Sequence, residues 1–248
     1  MNATQGFGSG RRGLMGMPPL VLNLIIVNAL FLLITNLFKE QFNLYSLLGL
    51  HYFTSPNFES WQFVSYMFMH GDLYHLVFNM FALWMFGSIL EQVWGPKRFL
   101  TFYMVTGIGA GLVQLLVAYI RLQSIEGLLT PEQIDYVYTQ GPELWREGKT
   151  FSEQSMAALN RIINTPTVGA SGAVFGILLA FGMMFPNTML YVFFAIPIRA
   201  KYFVIIYGAL ELYFGVTGTQ EGIAHFAHLG GMVFGFFLIK YWKKKGVY

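Results

Sequence analysis

The sequence predicts an all-α polytopic membrane protein, folded as one bundle of six transmembrane helices. Three observations carry that expectation. Of the 248 residues, 55% are hydrophobic and only 11% are charged, where a soluble domain carries roughly 25% charged residues. Several apolar runs approach or exceed the ~20 residues that a helix needs to cross a bilayer. The basic residues gather between those runs and at the C-terminus, and the net charge is only +3. That distribution reads as a topology signal and not as a nucleic-acid surface. The chain has no cysteine, which excludes disulfides, thiolate catalysis and cysteine-bound metals.

The helices are expected at about 19–38, 73–94, 98–120, 168–186, 200–217 and 223–241. Residues 1–18 form a tail carrying Arg11 and Arg12. The apolar run after it is too long for a signal-peptide core and lacks a small-residue cleavage site, so it reads as a retained first helix. Gly95-Pro96-Lys97-Arg98 separates the second and third runs, a turn with a helix-starting proline. The fourth run ends at Pro186-Asn187, and the apolar piece from Met189 to Ile198 is short and interrupted by Pro197, as expected of an interfacial or re-entrant segment. The bundle should therefore span 19–242, followed by a basic tail at 243–248. Residues 39–72 form an aromatic external segment, and 121–167 form a polar external insert expected to hold short helices, such as one near 130–140.

Orientation follows Lys and Arg. With the N-terminus inside, Arg11, Arg12, Lys97, Arg98, Arg199, Lys201, Lys240, Lys243, Lys244 and Lys245 fall on the inner side, ten in all. Five fall outside: Lys39, Arg121, Arg146, Lys149 and Arg161. Both termini are thus expected in the cytoplasm of a multi-pass cell-membrane protein.

With this topology the second, fourth and sixth helices all start at the outer face. His75 and Asn79 lie in the first turns of the second, Ser171 in the first turn of the fourth and His228 in the second turn of the sixth. Four polar groups therefore share one depth, where polar groups are costly and read as functional. A lone serine is a weak nucleophile and needs a base to take its proton. His228 fits that role. His225, three residues earlier, is the other imidazole in reach, and the glycines that follow His228 favour His228. Gly172 and Gly176 on one helix, and Gly231 and Gly235 on the other, let two backbones pack closely in lipid. The Ser171 amide opens a helix, where unpaired N–H groups suit a developing oxyanion. His75 and Asn79, four apart on one face, supply further donors. No acid is evident to orient His228: Asp72 and Glu221 are loop residues, so a Ser171–His228 dyad is expected.

The stretch Trp61 to Met80, with His70, His75 and Asn79, resembles the rhomboid intramembrane serine proteases. So do Gly169-Ala170-Ser171-Gly172 through Gly176, and Ala227-His228-Leu229-Gly230-Gly231 followed by Gly235. Gly87, Glu91 and Gly95 resemble the family's Gly-x-x-x-Glu-x-x-x-Gly run. The resemblance covers about 19–242 and implies a six-helix bundle that cleaves single-pass transmembrane protein substrates within the lipid bilayer. It implies Ser171 as nucleophile and His228 as base. His75, Asn79 and the Ser171 amide would form the oxyanion hole. His70, Gly169, Gly172 and Gly231 would be supporting residues, and Phe175 the aromatic packed under the histidine. It implies no cofactor and no metal, and the sequence leaves the oligomeric state open. In this family-based reading Thr217 to Gly222 would cap the site and the fifth helix would be its gate.

Plainer roles are expected elsewhere. His70 reads as a cap on the second helix, Glu91 as an ion-pair partner of Lys97 or Arg98, and Glu211 as a bundle-facing hydrogen-bonding group. An inactive rhomboid-like protein that binds membrane clients is the first rival, although every expected catalytic position is filled. A transporter would need a polar track reaching the inner side, and zinc on His225 and His228 would leave the serine motif unexplained.

Overall fold

A computed structural model describes residues 16–192, 195–219 and 224–246. Helix α1 spans Pro19–Leu37, with proline at its first position. Two short helices follow, α2 (Leu44–Leu48) and α3 (Gln62–Ser65), the latter continuing as a 3-10 turn over Tyr66–Phe68. Helix α4 spans Leu73–Trp94 and contains a π-helical turn at Leu83–Gly87. After the positive-φ Gly95, α5 runs over Pro96–Glu126. The insert folds into α6 (Pro131–Arg146) and α7 (Gln154–Asn164). Then come α8 (Ser171–Met184), strands β1 (Met189–Val192) and β2 (Ile196–Arg199), α9 (Ala200–Thr217) and α10 (His225–Lys244).

A helix thus stands at each of the six expected places. By length and composition three of them, α1, α4 and α5, suffice to cross a membrane among the described residues, and α8 is apolar but only 14 residues long. Helix α5 exceeds its expected end by six residues, 126 against 120. The polar stretch after Ile120 holds no helix breaker before Gly127, so the helix continues into what the sequence suggested as insert. Within the apolar piece after Pro186, β1 and β2 pair antiparallel, with Pro197 opposite Tyr191 and Ile198 opposite Leu190.

Helices α5, α8 and α10 pack against one another at the centre, and small residues set their spacing. A methyl on Gly176 would stand 2.7 Å from Thr106 of α5 and 3.0 Å from the Gly231 carbonyl oxygen of α10. One on Gly235 would stand 3.4 Å from the Gly176 Cα. In lipid such close backbone approach replaces the hydrophobic drive that holds soluble helices together. Tyr66 and Tyr103 are fully enclosed aromatics in this core, and Tyr66 donates to the Gly107 carbonyl at 2.6 Å.

Two polar residues have roles other than those expected. Glu91, buried at the end of α4, accepts hydrogen bonds from the Leu20 and Val21 amides at 3.1 and 2.8 Å. It therefore caps α1, whose first amides have no intrahelical acceptor and whose N-terminal dipole end favours an anion. The N-cap of α4 is Asp72, whose carboxylate accepts from the His75 amide at 2.8 Å, and not His70.

Candidate active site

Ser171 is the first residue of α8. The turn before it needs Gly169, whose φ of 131° is one that side chains rarely adopt. Its amide is held by the Tyr66 carbonyl at 2.9 Å. Intrahelical bonding in α8 starts at the Val174 amide, which donates to the Ala170 carbonyl. The preceding amides, that of Ser171 among them, stand at the positive end of the helix, where an anion is favoured.

His228 projects from the first turn of α10 and is 8% exposed. Its Nε2 lies 2.8 Å from Ser171 Oγ. Its ring stacks on Phe175 of α8, with centroids 4.2 Å apart and planes 4° from parallel. The α8–α10 crossing fixes this pair. A methyl on Gly231 would overlap the Gly172 carbonyl oxygen, and one on Gly172 would overlap Ala110 of α5. Ser171 and Gly172 are chain neighbours, and His228 lies one turn before Gly231, so the contact that sets the helix spacing also sets the Oγ–Nε2 distance.

The other face of the site is α4. His75 Nδ1 accepts a long bond, 3.4 Å, from the Gly71 amide. Its Nε2 is then the protonated nitrogen, and it faces the serine turn: a Cβ built on Gly169 would lie 2.8 Å from His75 Nε2 and 3.4 Å from Ser171 Oγ. Asn79 is buried, and its Nδ2 donates to the His75 carbonyl at 3.0 Å. The structure therefore brings His75 beside Ser171 and points Asn79 back along its own helix. His70 lies outside the site and packs its ring against that of His75 at 4.9 Å. Burial, and then the neighbouring His75, push the His70 pKa down to about 4, so it is neutral at pH 7.

Glu211 changes the expected dyad. It projects from α9, is 6% exposed, and its Oε2 lies 2.8 Å from His228 Nδ1 and 2.7 Å from His225 Nδ1. An acid does reach His228, and it comes from a helix interior, not from a loop. Depth counting finds it: Glu211 is six residues before the end of α9, and His228 three residues into α10. A helical hairpin brings such positions level.

Glu211, His225 and His228 are also the one group of three described residues with ligand atoms near enough for a metal, all within 4.8 Å. Their spacing suits protons better. Ligand atoms at 2.0–2.1 Å on tetrahedral axes stand about 3.3 Å apart, whereas these N···O separations are those of hydrogen bonds. The expected cap at Thr217 to Gly222 lies partly outside the described residues. The expected gate helix α9 carries Gly215 packed against His225 and Phe226, its carbonyl bonded by Arg121 at 2.9 Å.

The chain is similar in sequence to several proteins named as rhomboids. The chain is 28% identical over 213 residues to RHOMBOID-like protein 12, mitochondrial, of Arabidopsis thaliana, covering 85% of this chain and 54% of that one. It is 25% identical over 178 residues to Rhomboid protease AarA of Providencia stuartii, covering 71% and 53%. To Rhomboid protease GluP of Bacillus subtilis it is 26% identical over 185 residues, covering 72% and 25%. The chain spans about half the length of the first two relatives. The Rhomboid domain model matches residues 57–128 and 146–245, which hold α4, α8, α9 and α10 and every residue described above at the site. With most of its length matched by that domain, and with long apolar helices of the kind such a fold requires, the chain is a multi-pass membrane protein of the rhomboid family.

Proposed function

We propose that the protein is a serine endopeptidase that cleaves single-pass transmembrane proteins near the outer face of the membrane. The observation that carries the reading is the 2.8 Å contact between Ser171 Oγ and His228 Nε2. Ser171 donates its hydroxyl proton to Nε2 as Oγ bonds to the scissile carbonyl carbon. The carbonyl oxygen, now an anion, is received by the Ser171 amide and by His75 Nε2–H, with Asn79 joining after turning from the His75 carbonyl. The imidazolium returns the proton to the leaving amine, and the C–N bond breaks. Water then attacks the acyl-enzyme, His228 takes its proton, and Ser171 is restored. Phe175 holds the imidazole plane throughout.

A substrate helix shields its peptide bonds with its own hydrogen bonds, so substrates should unwind easily and carry a small residue at the cut. The charge distribution supports termini in the cytoplasm of a cell-membrane protein, with the site opening to the outer side.

The test is proteolysis in vesicles. The purified protein is reconstituted with a single-pass substrate carrying a small residue at the outer membrane boundary, and the products are mapped by mass spectrometry. Cleavage at one bond is expected, with a loss of roughly 10³-fold or more in Ser171→Ala and in His228→Ala. An intact substrate with the wild type, where the protein still binds it, would favour a client-binding rhomboid-like protein. Equal cleavage by wild type and Ser171→Ala would remove Ser171 from the mechanism.

A further inference from the structure

Glu211 is a buried carboxylate that a serine–histidine pair does not require. Its Oε2 serves two imidazoles at once, at 2.7 Å from His225 Nδ1 and 2.8 Å from His228 Nδ1. A carboxylate oxygen only accepts, so each Nδ1 must carry a proton. Each ring in its neutral form then has a bare Nε2. At His228 that nitrogen faces Ser171 Oγ, where a base needs a lone pair. The opposite tautomer would set the Nδ1 lone pair against the carboxylate and an Nε2–H against the serine. One oxygen thus selects the tautomer in which His228 can act.

His225 completes the arrangement. Its second N–H bond ties down the carboxylate, which would otherwise turn on three single bonds. Its own Nε2 is buried without a hydrogen-bond partner among the described residues. A ring nitrogen left bare in this way is the cost of presenting the N–H to Glu211, since leaving a buried acceptor unmade is unfavourable. The chain of donors runs His225 to Glu211, His228 to Glu211 and Ser171 to His228, with each ring nitrogen and oxygen used in one sense only.

We propose that Glu211 is a positioning residue for His228, anchored by His225, so that the site works as a Ser171–His228–Glu211 triad rather than a dyad. This rests on the proteolytic reading given above. Because Glu211 belongs to α9, the base is oriented only while α9 is seated against α10.

The test joins kinetics with a tautomer measurement. Glu211→Gln keeps the side chain's shape and removes its charge. In vesicles its kcat should fall by about 10²–10⁴-fold with KM changed less than about threefold, the mark of a group acting in the transition state. Glu211→Ala should lose as much, and added formate should restore at least about tenfold in kcat by refilling the site with a carboxylate. Formate rescue keeps the proposal testable should Glu211→Gln fold poorly, and a purely structural role would not give it. Nitrogen-15 NMR of histidine-labelled protein should find His228 as the Nδ1–H tautomer in wild type and in Ser171→Ala, and not in Glu211→Ala.

A well-folded Glu211→Gln protein with kcat within about threefold of wild type would overturn the proposal. So would an Nε2–H tautomer of His228 in wild type, or a loss in Glu211→Ala that formate leaves untouched. Failure of the underlying reading looks different: wild type itself would leave substrate intact, while a His228 tautomer that still depended on Glu211 would uphold the positioning role.

Discussion

Gly231→Ala isolates the link between helix packing and chemistry. The residue is buried against Gly172 and carries no functional group. Its added methyl would stand 2.7 Å from the Gly172 carbonyl carbon and nearer still to its oxygen. Ordinary contact of a methyl with a carbonyl group needs about 3.5 Å, and the oxygen, the nearer atom, sets the shift, so α8 and α10 must part by more than about 1 Å. Neither backbone can yield alone, because Gly172 is backed by Ala110 of α5 and Gly230 by Val113. The Oγ–Nε2 distance, 2.8 Å in the native pair, would open to about 4 Å or more, beyond hydrogen-bond range. A misplacement of about 1 Å costs on the order of 10²-fold in rate, and overpacking costs about 1–3 kcal/mol of stability. The assay compares kcat for a transmembrane substrate with the thermal midpoint of the same detergent preparation. The expected result is a large loss of kcat in protein that is still folded at the assay temperature. Activity within about threefold of wild type would refute the claim that this crossing sets the catalytic distance.

Other perturbations separate parts of the molecule. Phe175→Ala should lower kcat by about tenfold by freeing the His228 ring, and destabilise by about 3 kcal/mol because the ring is buried; an unchanged rate would leave the stack a packing contact. Glu91→Ala should cost about 1–2 kcal/mol by uncapping α1, with the kcat of the folded fraction unchanged, as read from denaturation and turnover together. For pH, the folded-state pKa of His70, about 4, lies below the unfolded value of 6.5. The unfolded chain therefore takes up the proton first, so this stabilisation is whole above pH 6.5 and is lost as pH falls toward 4, by on the order of 2–3 kcal/mol. Burial lowers the pKa of His51 as well, and it acts in the same direction. The pH slope of the melting midpoint between 6.5 and 4 should flatten in His70→Phe, and an unaltered slope would remove His70 as its source.

Much of the site is legible in the sequence because membrane helices convert residue number into depth. Ser171, His228, His75 and Asn79 can be levelled by counting from the ends of apolar runs, and the paired glycines say which helices meet. Glu211 escapes a search for acids in loops, since its partners come from the next helix across a hairpin. The same counting applied to helix interiors brings it level with His228. Glu91 misleads for a related reason. Lys97 and Arg98 are near in sequence, but the backbone amides that the carboxylate meets belong to the start of α1, some 70 residues away. Side-chain rotation is the part that sequence does not encode. Asn79 lies on the expected face, yet its amide is spent on the His75 carbonyl. The far end of α5 follows local propensity past the end of the apolar run, where hydropathy alone would stop it.

The most direct test of the central claim is reaction of the detergent-purified protein with a fluorescent fluorophosphonate, comparing wild type with Ser171→Ala and His228→Ala. An activated serine predicts labelling of the wild type at Ser171 and its disappearance in both variants. A folded wild type that stays unlabelled and also leaves a transmembrane substrate intact would contradict the account, and labelling that persists in His228→Ala would show that the imidazole is not the base.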